Sequence, residues 1–118
     1  MKHSSCLVAF ALIALANAQA PNDAKLKLQK AEKAYASTKG SWTKDKSNQA
    51  KKRAYVNATV QLGTVVMTSP LLGAKVKYPR ALRLYREALK LDPNNKEAKA
   101  NKKMIEDIYR SMGRPIPH

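Results

Sequence analysis

The stretch Tyr78-Pro79-Arg80-Ala81-Leu82-Arg83-Leu84-Tyr85-Arg86-Glu87-Ala88-Leu89-Lys90-Leu91-Asp92-Pro93-Asn94-Asn95 decides the fold. Ala81, Leu82, Tyr85, Ala88 and Leu89 recur at spacings of three and four, so they share one face of a helix. Pro79 suits a first turn, where its missing N–H costs nothing, and the helix is expected to run from there to Leu91. Asp92 to Asn95 reads as a turn in which Pro93 breaks the helix and Asn94 or Asn95 offers an N-cap oxygen to the next. That next helix runs from about Lys96 to Met112, with Ala98, Asn101, Ile105, Ile108 and Met112 on its inner stripe. Gly113 stops it, and Pro115 and Pro117 prevent a restart, which leaves residues 113–118 as a disordered tail.

Upstream, Leu71 to Lys77 reads as a connection containing Gly73, and Ser69-Pro70 ends the preceding helix. Asp45 or Ser47 can cap that helix. Its inner stripe is Ala50, Ala54, Ala58, Leu62 and Val65, widened by Tyr55, Val66 and Met67. Thr59, Val60, Thr64, Val65 and Val66 are β-branched, which raises a strand over 55–67 as a rival. The apolar residues do not alternate and no partner strand exists, so a helix is expected. Ser41 to Lys44 reads as a loop, with Trp42 alone in it. Before it, Ala24, Leu28, Ala31 and Tyr35 line a first helix that starts at Asn22-Asp23 and ends at Lys39-Gly40, with Gly40 in the left-handed C′ position. The expectation is an all-α domain over 22–112, built of four antiparallel helices.

The first twenty residues read as an export signal. Lys2 and His3 form a short basic start, Cys6 to Ala16 is apolar and uncharged, and Ala16-Asn17-Ala18 and Ala18-Gln19-Ala20 are both small-x-small cleavage patterns. Pro21 would block a cut after Ala20, so cleavage after Ala18 is expected, with Ala20 as the alternative. The apolar run is short of the ~20 residues of a comfortable membrane span, and an uncleaved N-terminal anchor is the less favoured reading. Localisation is therefore exported, periplasmic or secreted. Cys6 is the only cysteine, so the exported part has no internal disulfide and stands on packing alone.

With 118 residues, one domain is expected. Twenty-three Lys and Arg against eight Asp and Glu give +15. Lys2 is the one formal charge in the first twenty residues, so nearly all of this belongs to the helical part. Such a field attracts anions: acidic proteins, anionic lipid, acidic glycan or nucleic acid.

Ala81, Tyr85, Ala88 and Pro93 match, in identity and spacing, the second-helix signature of the tetratricopeptide repeat, and Leu62-Gly63 resembles the Leu-Gly pair of its first helix. Val66 and Thr59 stand where that family carries Tyr and Trp. Pro93 follows Leu62 six residues later than a repeat of about 34 residues allows, so the resemblance implies an insertion within Thr68 to Lys77 and a longer elbow. Lys102 and Lys103 would occupy the next unit's Leu-Gly positions, which marks the last helix as a cap. The resemblance covers roughly 55–112. It implies antiparallel helical hairpins and a concave surface, lined by first helices, that grips an extended protein segment. Carried over by position, Asn57, Gln61, Thr64 and Asn101 are the groove candidates. Glu97 stands where clamp-type members carry a basic residue, which speaks against a carboxylate clamp. With one good repeat, the first helix must cover the hairpin or the chain must self-associate.

Catalysis finds little to use. After Cys6 there is no thiol, and His118 is the only histidine of the exported part. Glu87 with Arg83, and Glu106 with Arg110, fit helical ion pairs, and Glu106-Asp107 point apart on a helix. No catalytic residue, metal ligand set or cofactor is expected. A non-enzymatic interaction module, a scaffold or adaptor that binds a protein or peptide segment of acidic character, is the first reading. The alternative is a cationic envelope-surface binder of anionic lipid, glycan or polymer, through the basic face Arg80, Arg83, Arg86 and Lys90. Export and the lack of stacking aromatics argue against nucleic acid.

Overall fold

The computed structural model describes the backbone from Ser4 to His118 and the side chains from Pro21 onward. The side chains of residues 1–20, where an export signal and its cleavage motifs are expected, lie outside the described residues. Four helices follow one another: α1 (Ser4–Thr43), α2 (Gln49–Thr68), α3 (Ala74–Leu91) and α4 (Lys96–Ser111). Among the described residues there is no strand, so the all-α expectation holds. Nor is any described helix long and apolar enough to cross a membrane.

The centre of the molecule is the α2–α3 hairpin. Tyr85, Leu62, Leu82 and Val66 are fully buried there, with Ala81 and Ala88. Burying side chains of this size contributes roughly 1.5–3 kcal/mol each relative to exposure. The closest approach is at Gly63. A Cβ built on it would lie 2.8 Å from Cε1 of the Tyr85 ring, so the ring occupies the space that any other residue would fill. Thr59, the buried hydroxyl of α2, donates to the Tyr55 carbonyl at 2.7 Å and so is satisfied within its own helix. The β-branched residues cost intrinsic helix preference, but Thr59, Val60, Val65 and Val66 are all buried, and that burial decides in favour of helix.

α4 closes the other side of α3 with Ala98 and Ile105, both fully buried. Its start is as read: Asn95 is the N-cap, accepting from the Ala98 N–H at 3.0 Å. Its end is too, because Gly113 takes a positive φ of 65°. Met112, expected on the inner stripe, is exposed.

Several boundaries differ from the expectation. α1 does not begin at Asn22-Asp23 but continues through Pro21, and it does not stop at Gly40 but runs three residues further to Thr43. The extra turn carries Trp42, which stacks on Tyr55 of α2 at 5.4 Å between ring centroids, so it belongs to the helix pair and not to a loop. This packing offsets the roughly 0.5–1 kcal/mol that glycine costs inside a helix. α2 is capped by Asn48, whose Oδ1 accepts from Lys51 N–H at 3.0 Å, while Ser47 donates to Asp45 and braces the preceding loop. The stripe of α2 is rotated from the one read: Ala50 and Ala54 are exposed, and Tyr55, Val56, Thr59 and Val60 are buried in their place. α3 begins at Ala74, five residues before Pro79, so the extra residues of the elbow are wound as helix and the connection shrinks to Ser69–Gly73. That first turn is poor by local rules. It has no acidic residue and no side-chain cap, and it carries Lys75 and Lys77. Finally, the tail is not free. Ile116 packs against the core, and Arg86 donates to the Pro117 carbonyl at 2.8 Å.

Candidate binding groove

The exposed side of α2 carries Asn57, Gln61 and Thr64 at spacings of four and three, and α4 flanks it with Glu97 and Asn101. Tyr85 joins the two helices from below. Its ring is buried against Gly63, which brings its hydroxyl up between α2 and α4. There it meets Thr64 Oγ1 at 2.9 Å and Asn101 Nδ2 at 3.1 Å. Thr64 in turn donates to Glu97 Oε1 at 2.9 Å. The proton count fixes the direction: since Thr64 gives its one proton to Glu97, the Tyr85 hydroxyl donates to Thr64 and accepts from Asn101. Asn101, Tyr85, Thr64 and Glu97 thus form a one-way chain of hydrogen bonds ending on a carboxylate, each bond polarising the next. Met67 Sδ lies 3.9 Å from the same hydroxyl as a weaker acceptor. Burial pushes the Tyr85 phenol above its ordinary range, against the hydrogen bonds with Thr64 and Asn101.

This chain leaves acceptors facing outward. Glu97 is exposed, and the Asn101 side-chain oxygen makes no hydrogen bond among the described residues. Of the four groove candidates, Thr64 and Asn101 are in contact; the other two face different neighbours. Asn57 lines a hollow of about 310 Å³ with Lys52, Arg53, Leu91 and Asp92. Gln61 lines one of about 290 Å³ with Lys27, Lys30, Ala31 and Ala34 of α1. Acceptors thus stand between α2 and α4, and lysines of α1 border the Gln61 hollow. On α4 itself lies an open apolar hollow of Ala100, Met104 and Ile108, bordered by Lys103 and Asp107. Met104 was missed in the sequence, although it stands one helical turn from both Ala100 and Ile108. Hydrogen bonds from Lys103 and then Arg110 hold the Asp107 carboxyl below the ordinary range.

The basic face of α3 does not stay whole. Arg80 is spent on Glu32 of α1 at 2.9 Å, and Arg86 on the Pro117 carbonyl and on Glu106 of α4 at 3.9 Å. Arg83 and Lys90 are exposed and form no ion pair among the described residues. The two intrahelical pairs expected here are replaced. Glu87 turns from Arg83 to accept from the Tyr35 hydroxyl at 2.7 Å and from Lys39 at 3.5 Å. Glu106 takes Lys102 at 3.2 Å in place of Arg110, which pairs with Asp107. Burial, then the Glu87 carboxylate, pushes Tyr35 up to about 12, and the same two causes raise Tyr55 further.

Among the described residues no group of three His, Cys, Asp or Glu side chains could hold a metal ion. Comparison of the chain with protein-family models, with curated proteins and with solved structures gave no match.

Proposed function

We propose that this chain is an exported, non-enzymatic interaction module that holds an extended protein segment against the α2–α4 face, in the manner of a tetratricopeptide repeat. The observation that carries the reading is the Tyr85 hydroxyl, held in place by Gly63 and used to fix Thr64, Asn101 and Glu97 as an ordered row of polar groups. Preorganised acceptors of this kind suit the backbone N–H groups of an extended segment. Glu97 between α2 and α4 disfavours a terminal carboxylate there, while Lys27 and Lys30 beside the Gln61 hollow suit acidic side chains further along. Five of the carboxylates, Glu32, Asp45, Glu87, Glu106 and Asp107, are tied to cations, which supports binding over catalysis.

Export is supported by Pro21. Inside a helix, proline removes one hydrogen bond and crowds the preceding turn, at a cost of about 3 kcal/mol. Cleavage after Ala18 would place Pro21 in the first turn of α1, where that cost disappears.

The test is capture of a partner from the envelope fraction with the exported chain, washed at about 1 M salt, where the Debye length is about 3 Å. A discrete protein that survives the wash, and that is lost when Asn57, Gln61 and Asn101 are replaced together by Ala, is the expected result. Unchanged capture by that variant overturns the groove assignment.

A further inference from the structure

One end of the molecule has a composition unlike the rest. Ala24 and Lys27 of α1 line a hollow with Val65, Thr68, Ser69 and Pro70, so the 24–28 turn of α1 lies beside the α2–α3 connection. Leu71 follows in that connection, and Val76 is in the first turn of α3. Leu26, Leu71 and Val76 are 54%, 45% and 55% exposed, and they account for three of the five large apolar residues left most open to water. Leu26 is flanked in the chain by Lys25 and Lys27, and Val76 by Lys75 and Lys77, none in an ion pair among the described residues. Lys77 lies over the ring of Tyr78. Asp23 is the one carboxylate within 21–30 and 65–79. The backbone of α1 passes this end on its way to Ser4, so the apolar run Cys6 to Ala16 belongs to the helix that emerges here.

We propose that this end docks on an anionic phospholipid surface, with the four lysines on headgroup phosphates and Leu26, Leu71 and Val76 dipping into the interface. A polyanion such as nucleic acid or acidic glycan would use the lysines but has no use for three exposed apolar side chains. A bilayer uses both, and a basic cluster combined with an apolar contact is what stable attachment to a membrane surface requires. The charge pattern also selects against a second copy of the chain, since lysine-rich ends repel. Arg80 and Arg86 of α3 take no part, since they are already paired. The inference rests on a different observation from the groove reading and shares only Lys27 with it, because the docking end is at the Pro70 end of α2.

The test uses the full chain with vesicles of phosphatidylcholine alone or mixed with phosphatidylglycerol. A Val76→Trp variant is expected to shift its emission to the blue with the mixed vesicles and not with the neutral ones. Trp42, at the far end of α1, keeps its emission in the wild-type chain. Lys75→Gln with Lys77→Gln is expected to weaken binding to the mixed vesicles about thirtyfold, and Leu71→Ser with Val76→Ser to weaken it as well; far-UV circular dichroism confirms the fold of each. Equal binding to both vesicle types would overturn the proposal. So would an apolar pair whose replacement changes nothing while double-stranded DNA competes fully, since that marks a general polyanion site.

Discussion

α3 meets α2 through shape, whereas α1 meets the same hairpin through aromatic and polar contacts. In the first interface Gly63, Tyr85, Ala81, Ala88, Leu62 and Val66 are buried, and the ring of Tyr85 fills the glycine's missing side chain. In the second, Ala31 is the only buried apolar residue of α1 among the described residues. Beside it stand the partly buried Leu28, a tilted Tyr35–Tyr55 pair at 6.1 Å, the Trp42 stack, the Tyr35–Glu87 hydrogen bond and the Arg80–Glu32 ion pair. The difference teaches that the hairpin is intolerant of volume change while the α1 contact is adjustable, so single substitutions should separate the two by size of effect.

Removing the ring should cost most. Tyr85→Ala is expected to lose about 3–5 kcal/mol in urea unfolding, the range of large aromatic deletions from a core; a loss no larger than that of a surface substitution breaks the contrast. Gly63→Ala should cost about 1–3 kcal/mol by overpacking. In a Tyr85→Leu background its cost should fall by about 1 kcal/mol, because the clashing atoms are gone and neighbouring sites couple. Strict additivity would show that the glycine is there for another reason. Tyr35→Phe, on the α1 side, should cost about 1 kcal/mol, the scale of one hydrogen bond. Arg80→Gln should cost less still, under about 1 kcal/mol, because both partners are partly open to water.

The same contrast has a pH signature. The folded state holds Tyr35 neutral to about 12, above the ordinary phenol value of about 10. A raised folded value means that the neutral form is the stabilised one. Its contribution is complete below pH 10 and is lost as pH rises from there through the folded value. Unfolding measured from pH 8 upward should therefore show stability falling above pH 10, and Tyr35→Phe should flatten the fall in part, leaving that of Tyr55, which burial also raises.

Local chemistry was readable from the sequence, and the contacts between distant segments were not. Asn95 as cap, Gly113 as stop, and Ala81, Tyr85 and Ala88 as one inward face follow from capping chemistry and helical period. Gly40 and Pro79 misled because each is a helix breaker only by intrinsic preference. Trp42 packing on Tyr55 carries α1 through Gly40, and the helix of α3 gains a turn before Pro79. The i,i+4 rule paired Glu87 with Arg83, but Tyr35, far away in sequence, brings a part-buried donor that an exposed arginine does not match. Of the four groove candidates the resemblance proposes, the structure brings Thr64 and Asn101 into contact and sets Asn57 and Gln61 in separate hollows. Their arrangement was not readable in the sequence, because it depends on where the Tyr85 hydroxyl emerges. The basic stripe failed for the same reason: its charges are on one helix, but their partners, Glu32, Glu106 and the Pro117 carbonyl, are on other segments.

The most direct test of the central claim is site-specific photocrosslinking in the envelope, with the crosslinking side chain placed in turn at Gln61, Met104 and Lys90. The account predicts the same discrete protein adduct from Gln61 of α2 and Met104 of α4, and none from Lys90 on the outer face of α3. An adduct from Lys90 with none from the other two would contradict it.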